Sequence, residues 1–330
     1  FMNLIKKKVA IVTGIGGQDG SYLTELLIKK NYIVYGLTNI VSKKSNKNIK
    51  EIYRNKKNIT IKNFDINKSS EIFKLIKKTK PHEFYHLAGP SFISYEFDDE
   101  FFTHNPNINA TQHILAAIKR FSPKTKFYFA ASAEIFGNTK KLSLDESSKF
   151  NPRSAYGISK LTGFNLTKNY REVHGLFSCS GILFNHESGR HATSFVARKI
   201  INNLVKIKFK KIKKFNIGNL DAKRDWGHAE DYVYTMWKML QLKRPEDFVI
   251  GSGKLHSVRQ FIEISSSILN IQYRNHILID KKIFRKNDQF FLKSNPSKAF
   301  KKLKWKPKYN FEGLINDMIK SEIENFKKFN

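Results

Sequence analysis

The first half of this chain alternates short apolar runs with amphipathic stretches, and few folds can accommodate that pattern. Val9 to Thr13, Ile33 to Leu37, Ile59 to Phe64, Glu83 to Ala88, Lys126 to Ala131 and Phe177 to Leu183 read as strands. Tyr22 to Lys30, Ile72 to Lys78, Ala110 to Phe121 and Ala155 to His174 read as helices between them. Strands joined by helical crossovers pair in parallel, and right-handed connections lay the helices over both faces of the sheet. The predicted fold class is therefore α/β, a doubly wound parallel sheet. After Asn185 the pattern loosens, then resumes in shorter mixed elements that end in an amphipathic helix, Phe311 to Phe326. Without a Pro-rich or Gly/Ser-rich linker, the second part is expected to pack directly on the first.

A formal charge of +32 over 330 residues raises the question of nucleic acid, because clustered cations release counterions from a phosphate backbone. The lysines are instead scattered, as in Lys43-Lys44, Lys77-Lys78, Lys140-Lys141, Lys210-Lys211 and Lys301-Lys302, and no stripe of aromatics interleaves with arginines. The charge reads as compositional bias that would still attract an anionic ligand, with no nucleic-acid partner. One cysteine, Cys179, excludes an intrachain disulfide and reads as a buried thiol. The histidines show no metal spacing, so His86, His113 and His174 are read as ordinary positions and His186 and His228 as structural support. No apolar run is long enough to span a bilayer, and Phe1 to Ile5 is too short for a signal peptide's apolar region. The expectation is a cytoplasmic protein with no membrane partner, Phe1 being an added residue.

The first strand runs into Gly14-Ile15-Gly16-Gly17-Gln18-Asp19-Gly20, a Gly-x-x-Gly-x-x-Gly series at a strand-to-helix turn. Such a turn lets backbone approach a pyrophosphate whose charge the following helix N-terminus favours, so a Rossmann-type dinucleotide site is expected. The end of the second strand reads Leu37-Thr38-Asn39-Ile40, with no carboxylate to hold a ribose 2′-hydroxyl or repel a 2′-phosphate. Thr38 and Asn39 could bond that phosphate and Lys43 or Lys44 neutralise it, which favours NADP over NAD. Asp65, after the third strand, could receive the adenine amino group or cap the next helix.

Tyr156-x-x-x-Lys160 puts two side chains one helical turn apart, and a lysine ammonium beside a phenol favours the phenolate needed to deprotonate an alcohol. The fifth strand delivers Ser132-Ala133-Glu134 at the carboxyl edge of the sheet, where α/β folds bind ligands. Ser132 can share a substrate hydroxyl with Tyr156. Glu134 adds a second base that simple alcohol oxidation does not need.

These motifs, together with Asn151 to Tyr156, Gly181 to Ser188, Arg224 to Ala229 and Pro245 to Ile250, make the chain resemble the GDP-mannose 4,6-dehydratases, extended short-chain dehydrogenase/reductases, nearly end to end. The resemblance implies a catalytic set of Ser132, Glu134, Tyr156 and Lys160, with Glu134 acting at the sugar's C5. It implies a cofactor pocket from Gly14, Gly17, Gln18, Asp19, Gly20, Thr38, Asn39, Asp65, Ile66 and Leu87, with Tyr156 and Lys160. It implies substrate contacts from Ser91, Asn185, Lys199, Arg224, Arg285 and Asp288. The expected division is discontinuous: residues 1–185 and roughly 216–251 binding the dinucleotide, 186–215 and 252–330 a smaller mixed α/β domain binding the nucleotide sugar. A GDP-sugar partner and a homodimer through helices Asn107 to Arg120 and Ala155 to His174 follow, a homotetramer being the larger alternative. Three departures bear on hexose identity and assembly: Ala133 where the family carries a proton donor, Gly189 and His191 after Asn185 to Ser188, and Phe92. A 4-epimerase or reductase would need Ser132, Tyr156 and Lys160 but not Glu134.

Overall fold

A computed structural model describes residues 7–39, 47–53, 58–89, 103–139, 141–284 and 292–329. Its contacts divide the chain into two compact units, Phe1–Thr139, Glu146–Leu183 and Val233–Val249 in the first, Lys140–Asp145, Phe184–Tyr232 and Ile250–Asn330 in the second. Residues 216–232 lie in the second of these units and 233–249 in the first.

Strands β1 (Val9–Thr13), β2 (Ile33–Thr38), β3 (Ile59–Asn63), β4 (Glu83–His86), β5 (Lys126–Ser132) and β6 (Ser178–Leu183) match the six apolar runs to within two residues at each end. The strand Phe248–Ile250 completes a seven-stranded sheet, in the order Phe248–Ile250, β6, β5, β4, β1, β2, β3. The pairs from β6 through to β3 are parallel. β6 is buried at every position and β4 likewise, as a sheet covered on both faces requires. Strand order reverses between β1 and β4, and the crevice at their carboxyl ends is where such sheets bind ligands.

Helices Gln18–Lys29, Ser69–Thr79, Ala110–Phe121 and Ala155–Glu172 occupy the predicted segments. The stretch expected as one helix from Asn107 differs. It opens as a π-turn, Asn105–Asn109, before the α-helix starts at Ala110. Pro106 has no N–H to give, and Asn107 turns its side-chain amide on the carbonyl of Thr103 at 3.0 Å, which replaces part of the regular ladder.

In the second unit, helices Val196–Lys208, Val258–Leu269 and Phe311–Phe329 enclose a core that includes Ile200, Leu204, Phe261, Ile262, Ile315 and Met318. Ser257 and Gln260 form a reciprocal capping box that fixes the start of the second of these. Among the described residues no helix is long and apolar enough to cross a membrane.

Candidate functional site

The glycine turn is built as its sequence requires. Gly14 has φ +70°, its N–H donates to the Leu37 carbonyl at 2.9 Å, and a Cβ there would meet the Ala88 backbone at 3.0 Å. Only glycine combines that dihedral with that approach. Gly17, exposed, stands at the start of the helix Gln18–Lys29 without a side-chain cap, and a helix N-terminus favours negative charge. Asp19 lies in that first turn, with Gln18 Nε2 donating to it at 3.2 Å, and Gly20 packs against the turn itself. Thr38, buried, ends β2, and the exposed Asn39 follows it, so no carboxylate stands there. These residues fit a dinucleotide: a backbone cradle a Cβ would fill, at a helix start. Asp65 and Ile66 follow β3, half-buried. Asp65 accepts from the Asn67 N–H at 3.0 Å in a local turn, while Lys68 is the cap of the next helix, so of the two roles foreseen for Asp65 the helix cap is not realised.

Across the crevice, Thr13 Oγ1 at the end of β1 accepts the N–H groups of Leu87 and Ala88, both at 3.0 Å. Those two donors turn the hydroxyl hydrogen toward His86 Nδ1 at 2.9 Å. The imidazole then carries its hydrogen on Nε2, which donates to the Pro106 carbonyl at 3.0 Å. Burial, then the nearby Lys160 charge, hold this ring neutral by pulling its pKa down to about 3. His86 is a strand position, as read, but it also ties β1 to the π-turn. Asn107 in that turn donates to Ser159 Oγ at 3.1 Å, and Ser159 donates to the Tyr156 carbonyl at 2.8 Å. Nothing in the sequence links Thr13, His86 and Asn107, because their partners lie on separate elements.

The four expected catalytic side chains are brought together in the first unit. Ser132 ends β5 with extended backbone, caps the 3₁₀ turn Ala133–Ile135, and accepts from the Glu134 N–H at 3.3 Å. Ser154 caps the helix Ala155–Glu172 through the Gly157 N–H at 3.1 Å. Gly157 lies against the Glu134 carbonyl, which a Cβ would approach to 2.8 Å, so the first turn of this helix seats directly on the Ser132–Glu134 turn. Tyr156, half-buried, has Ser132 as a polar neighbour and feels the charges of Glu134 and Asp19. Its pKa is pushed up, first by burial and then by those carboxylates, the Ser132 hydroxyl opposing. The proximity of lysine was expected to lower it. Instead Lys160, buried, donates to the Ala130 carbonyl at 2.9 Å, with Nζ 5.8 Å from the Tyr156 ring centre and 5.1 Å from that of Phe129. Burial lowers the Lys160 pKa to about 8, with Asp19 opposing. A base at that value with a hydroxyl pair and a carboxylate alongside can move protons near neutral pH. Ala133 is buried and brings no proton donor to this turn.

In the second unit Asn185, exposed, accepts at its carbonyl from the Gly227 N–H at 2.9 Å. Arg224 sits in a two-residue strand, and Lys199 is half-buried in the helix Val196–Lys208. Ser91, Phe92, Lys43, Lys44, Arg285 and Asp288 lie outside the described residues. Asp225, fully buried, was not foreseen as important. It accepts from Ser252, Gly253 and Ser294, gathering two loops beside Arg224. No group of metal-ligating side chains occurs among the described residues.

The family model described as GDP-mannose 4,6 dehydratase matches residues 11–318. The GDP-mannose 4,6 dehydratase of Cricetulus griseus is 39% identical, over 96% of this chain and 92% of its own. Among solved structures, a dTDP-glucose 4,6-dehydratase from Bacillus anthracis in complex with NAD superposes with TM-score 0.84 at 18% identity, covering 97% of this chain and 98% of that one. The RMD protein of Pseudomonas aeruginosa complexed with NADPH gives 0.81 at 19%, covering 97% and 100%. At such identities these two speak for the fold alone.

Proposed function

The chain belongs to the GDP-mannose 4,6-dehydratase family, and on that premise we propose that it dehydrates a GDP-hexose, GDP-mannose or a close relative, to the GDP-4-keto-6-deoxy sugar. The observation that carries this reading is the seating of the Tyr156 helix on the Ser132–Glu134 turn, which joins an alcohol-oxidising set to an additional carboxylate. Tyr156, oriented by Ser132, takes the C4 hydroxyl proton, and Lys160 stabilises the phenolate. The ketone at C4 acidifies C5, Glu134 removes the C5 proton, and water leaves C6. A bound nicotinamide supplies the hydride acceptor at C4 and the hydride donor at C6, so the cycle is redox-neutral.

Gly14, Gly17, Gln18, Asp19 and Gly20 would cradle the pyrophosphate, with Thr38, Asn39, Asp65, Ile66 and Leu87 lining the remainder of the cofactor site. The missing carboxylate after β2 favours NADP. Asn185, Lys199 and Arg224 would hold the GDP-sugar, with Ser91, Arg285 and Asp288 joining them. The protein acts in the cytoplasm as a homodimer through the helices at 107–120 and 155–174, a reading supported by the exposed Ile158 and Val173 at 49% and 66%. Mass spectrometry after incubation with GDP-, dTDP-, UDP- and CDP-sugars tests the reaction. Loss of water from a GDP-hexose without net cofactor turnover is expected, and an epimerised product without dehydration would replace this reading with the 4-epimerase.

A further inference from the structure

Arg224, one of the residues proposed to hold the GDP-sugar and the cation suited to its diphosphate, does not stand alone on its strand. Lys223–Arg224 pairs antiparallel with His256–Ser257, and His256 is the residue directly opposite Arg224. Residues opposite each other in an antiparallel pair project from the same face, with their side chains in reach of one another. Beneath His256 lies an aromatic stack. Its ring sits on Phe311 at 3.8 Å and 4°, and Phe311 is in turn stacked on the buried Trp226 at 5.7 Å and 11°. The imidazole is thus held in one plane by packing.

Its polar atoms are not spent on the protein. Among the described residues neither ring nitrogen of the half-buried His256 has a hydrogen-bond partner. The adjacent carboxylate cannot serve as one, because Asp225 is already engaged by the N–H groups of Ser252, Gly253 and Ser294 and by the hydroxyls of Ser252 and Ser294, all five at 2.5 to 3.0 Å. Those bonds fix the loop at 251–254 that leads into His256. Burial, with Lys254 adding to it and Asp225 opposing, lowers the His256 pKa, so the ring is a neutral donor and acceptor near pH 7. A rigid imidazole with unused N–H capacity, beside a guanidinium, is suited to an oxyanion that needs more than one donor.

We propose that His256 is a ligand-contacting residue of the nucleotide site, its ring N–H donating to an oxygen of the nucleoside diphosphate that Arg224 binds. This rests on the reading of Arg224 given above, and the test separates the two. GDP and guanosine are titrated calorimetrically into the wild-type protein, His256→Phe and His256→Asn. Phe keeps the stack on Phe311 and loses both nitrogens; Asn restores one N–H donor. GDP affinity is expected to fall about tenfold in His256→Phe and to recover in part in His256→Asn, while guanosine affinity stays the same. KM for the GDP-sugar should rise with kcat unchanged, because the contact is equal in ground and transition states. Equal GDP binding by wild type and His256→Phe, or an equal loss of GDP and guanosine, overturns the inference and leaves the assignment of Arg224 standing. A wild-type protein that binds no GDP overturns the nucleotide reading itself. Matching melting curves of the three proteins exclude misfolding as the cause of any loss.

Discussion

Strand β4 begins with a buried carboxylate and ends with a buried imidazole, and the protein uses these two ends differently. At its start Glu83 accepts from Tyr32 at 2.8 Å, Tyr85 at 2.7 Å and Gln241 at 3.1 Å, with Lys8 at 3.6 Å. Both phenols are pushed up in pKa, by burial first and by Glu83 next, so they remain donors at any physiological pH. That end is closed, with every donor aimed inward. At the other end His86 is likewise saturated, but the groups beyond it are not sealed: Tyr156 keeps part of its surface exposed and Lys160 sits at about 8. Burial displaces pKa values at both ends. Stabilisation follows where the displaced group is locked among partners, and proton transfer becomes available where it still opens to a ligand.

The contrast can be broken from either side. Tyr156→Phe has the largest expected effect: C4 oxidation falls by about four orders of magnitude with cofactor still bound, since one oxygen is removed from an otherwise identical ring. Stopped-flow absorbance of the reduced nicotinamide reads this, and near-normal turnover would remove Tyr156 from the chemistry. Glu134→Gln should slow elimination by roughly two to four orders while C4 oxidation survives, so the reduced nicotinamide accumulates. Wild-type product formed in heavy water should carry one deuteron at C5, and its absence would move the second base elsewhere.

Glu83→Leu attacks the closed end. Tyr32, Tyr85 and Gln241 lose their acceptor, and stability should drop by about 3 kcal/mol in denaturant titration, with turnover per folded molecule unchanged. Altered turnover at full folding would erase the distinction between the two ends. The smallest effect concerns Lys160→Met. The folded-state pKa of Lys160 lies below its ordinary value, so between about 8 and 10.5 the unfolded chain holds the extra proton and wild-type stability rises with pH. Below pH 8 the burial of the ammonium costs stability in full. Lys160→Met should therefore melt higher than wild type at pH 7, and that advantage should shrink as pH approaches 10.5; a difference independent of pH would contradict the lowered pKa.

Six of the seven strands could be read from the sequence because each carries a short run with apolar positions bounded by turns, although β3 buries only Ile61 of its five residues. Phe248–Ile250 could not, since three residues carry no period. The helices Val196–Lys208 and Val258–Leu269 were blurred into mixed elements for a different reason: their apolar positions are interrupted by Arg198, Asn202 and a run of serines at 265–267. Arg198 and Glu322 pair inside that core at 2.5 Å, so the polar positions mark a buried ion pair that periodicity discounts. Tyr156 and Lys160 were readable as a local spacing. The direction of the Tyr156 shift was not, because burial sets it first, with the carboxylates of Glu134 and of Asp19, far away in sequence, adding to it. The His86 tautomer depends on Thr13, which is seventy-three positions earlier.

The late arrival of Phe248–Ile250 has a bearing on synthesis. This strand flanks β6, whose six residues are all buried, and among the described residues no earlier strand pairs with that side of the sheet. A nascent chain that has emerged only as far as Leu183 therefore presents an unpaired strand edge, a surface prone to pair with another chain. About sixty-five further residues must leave the ribosome, at roughly 5–20 per second, before the edge can be closed. Fragments ending between 184 and 247 should accordingly be recovered mainly as insoluble material, and soluble, monomeric fragments would show that the edge needs no closing strand.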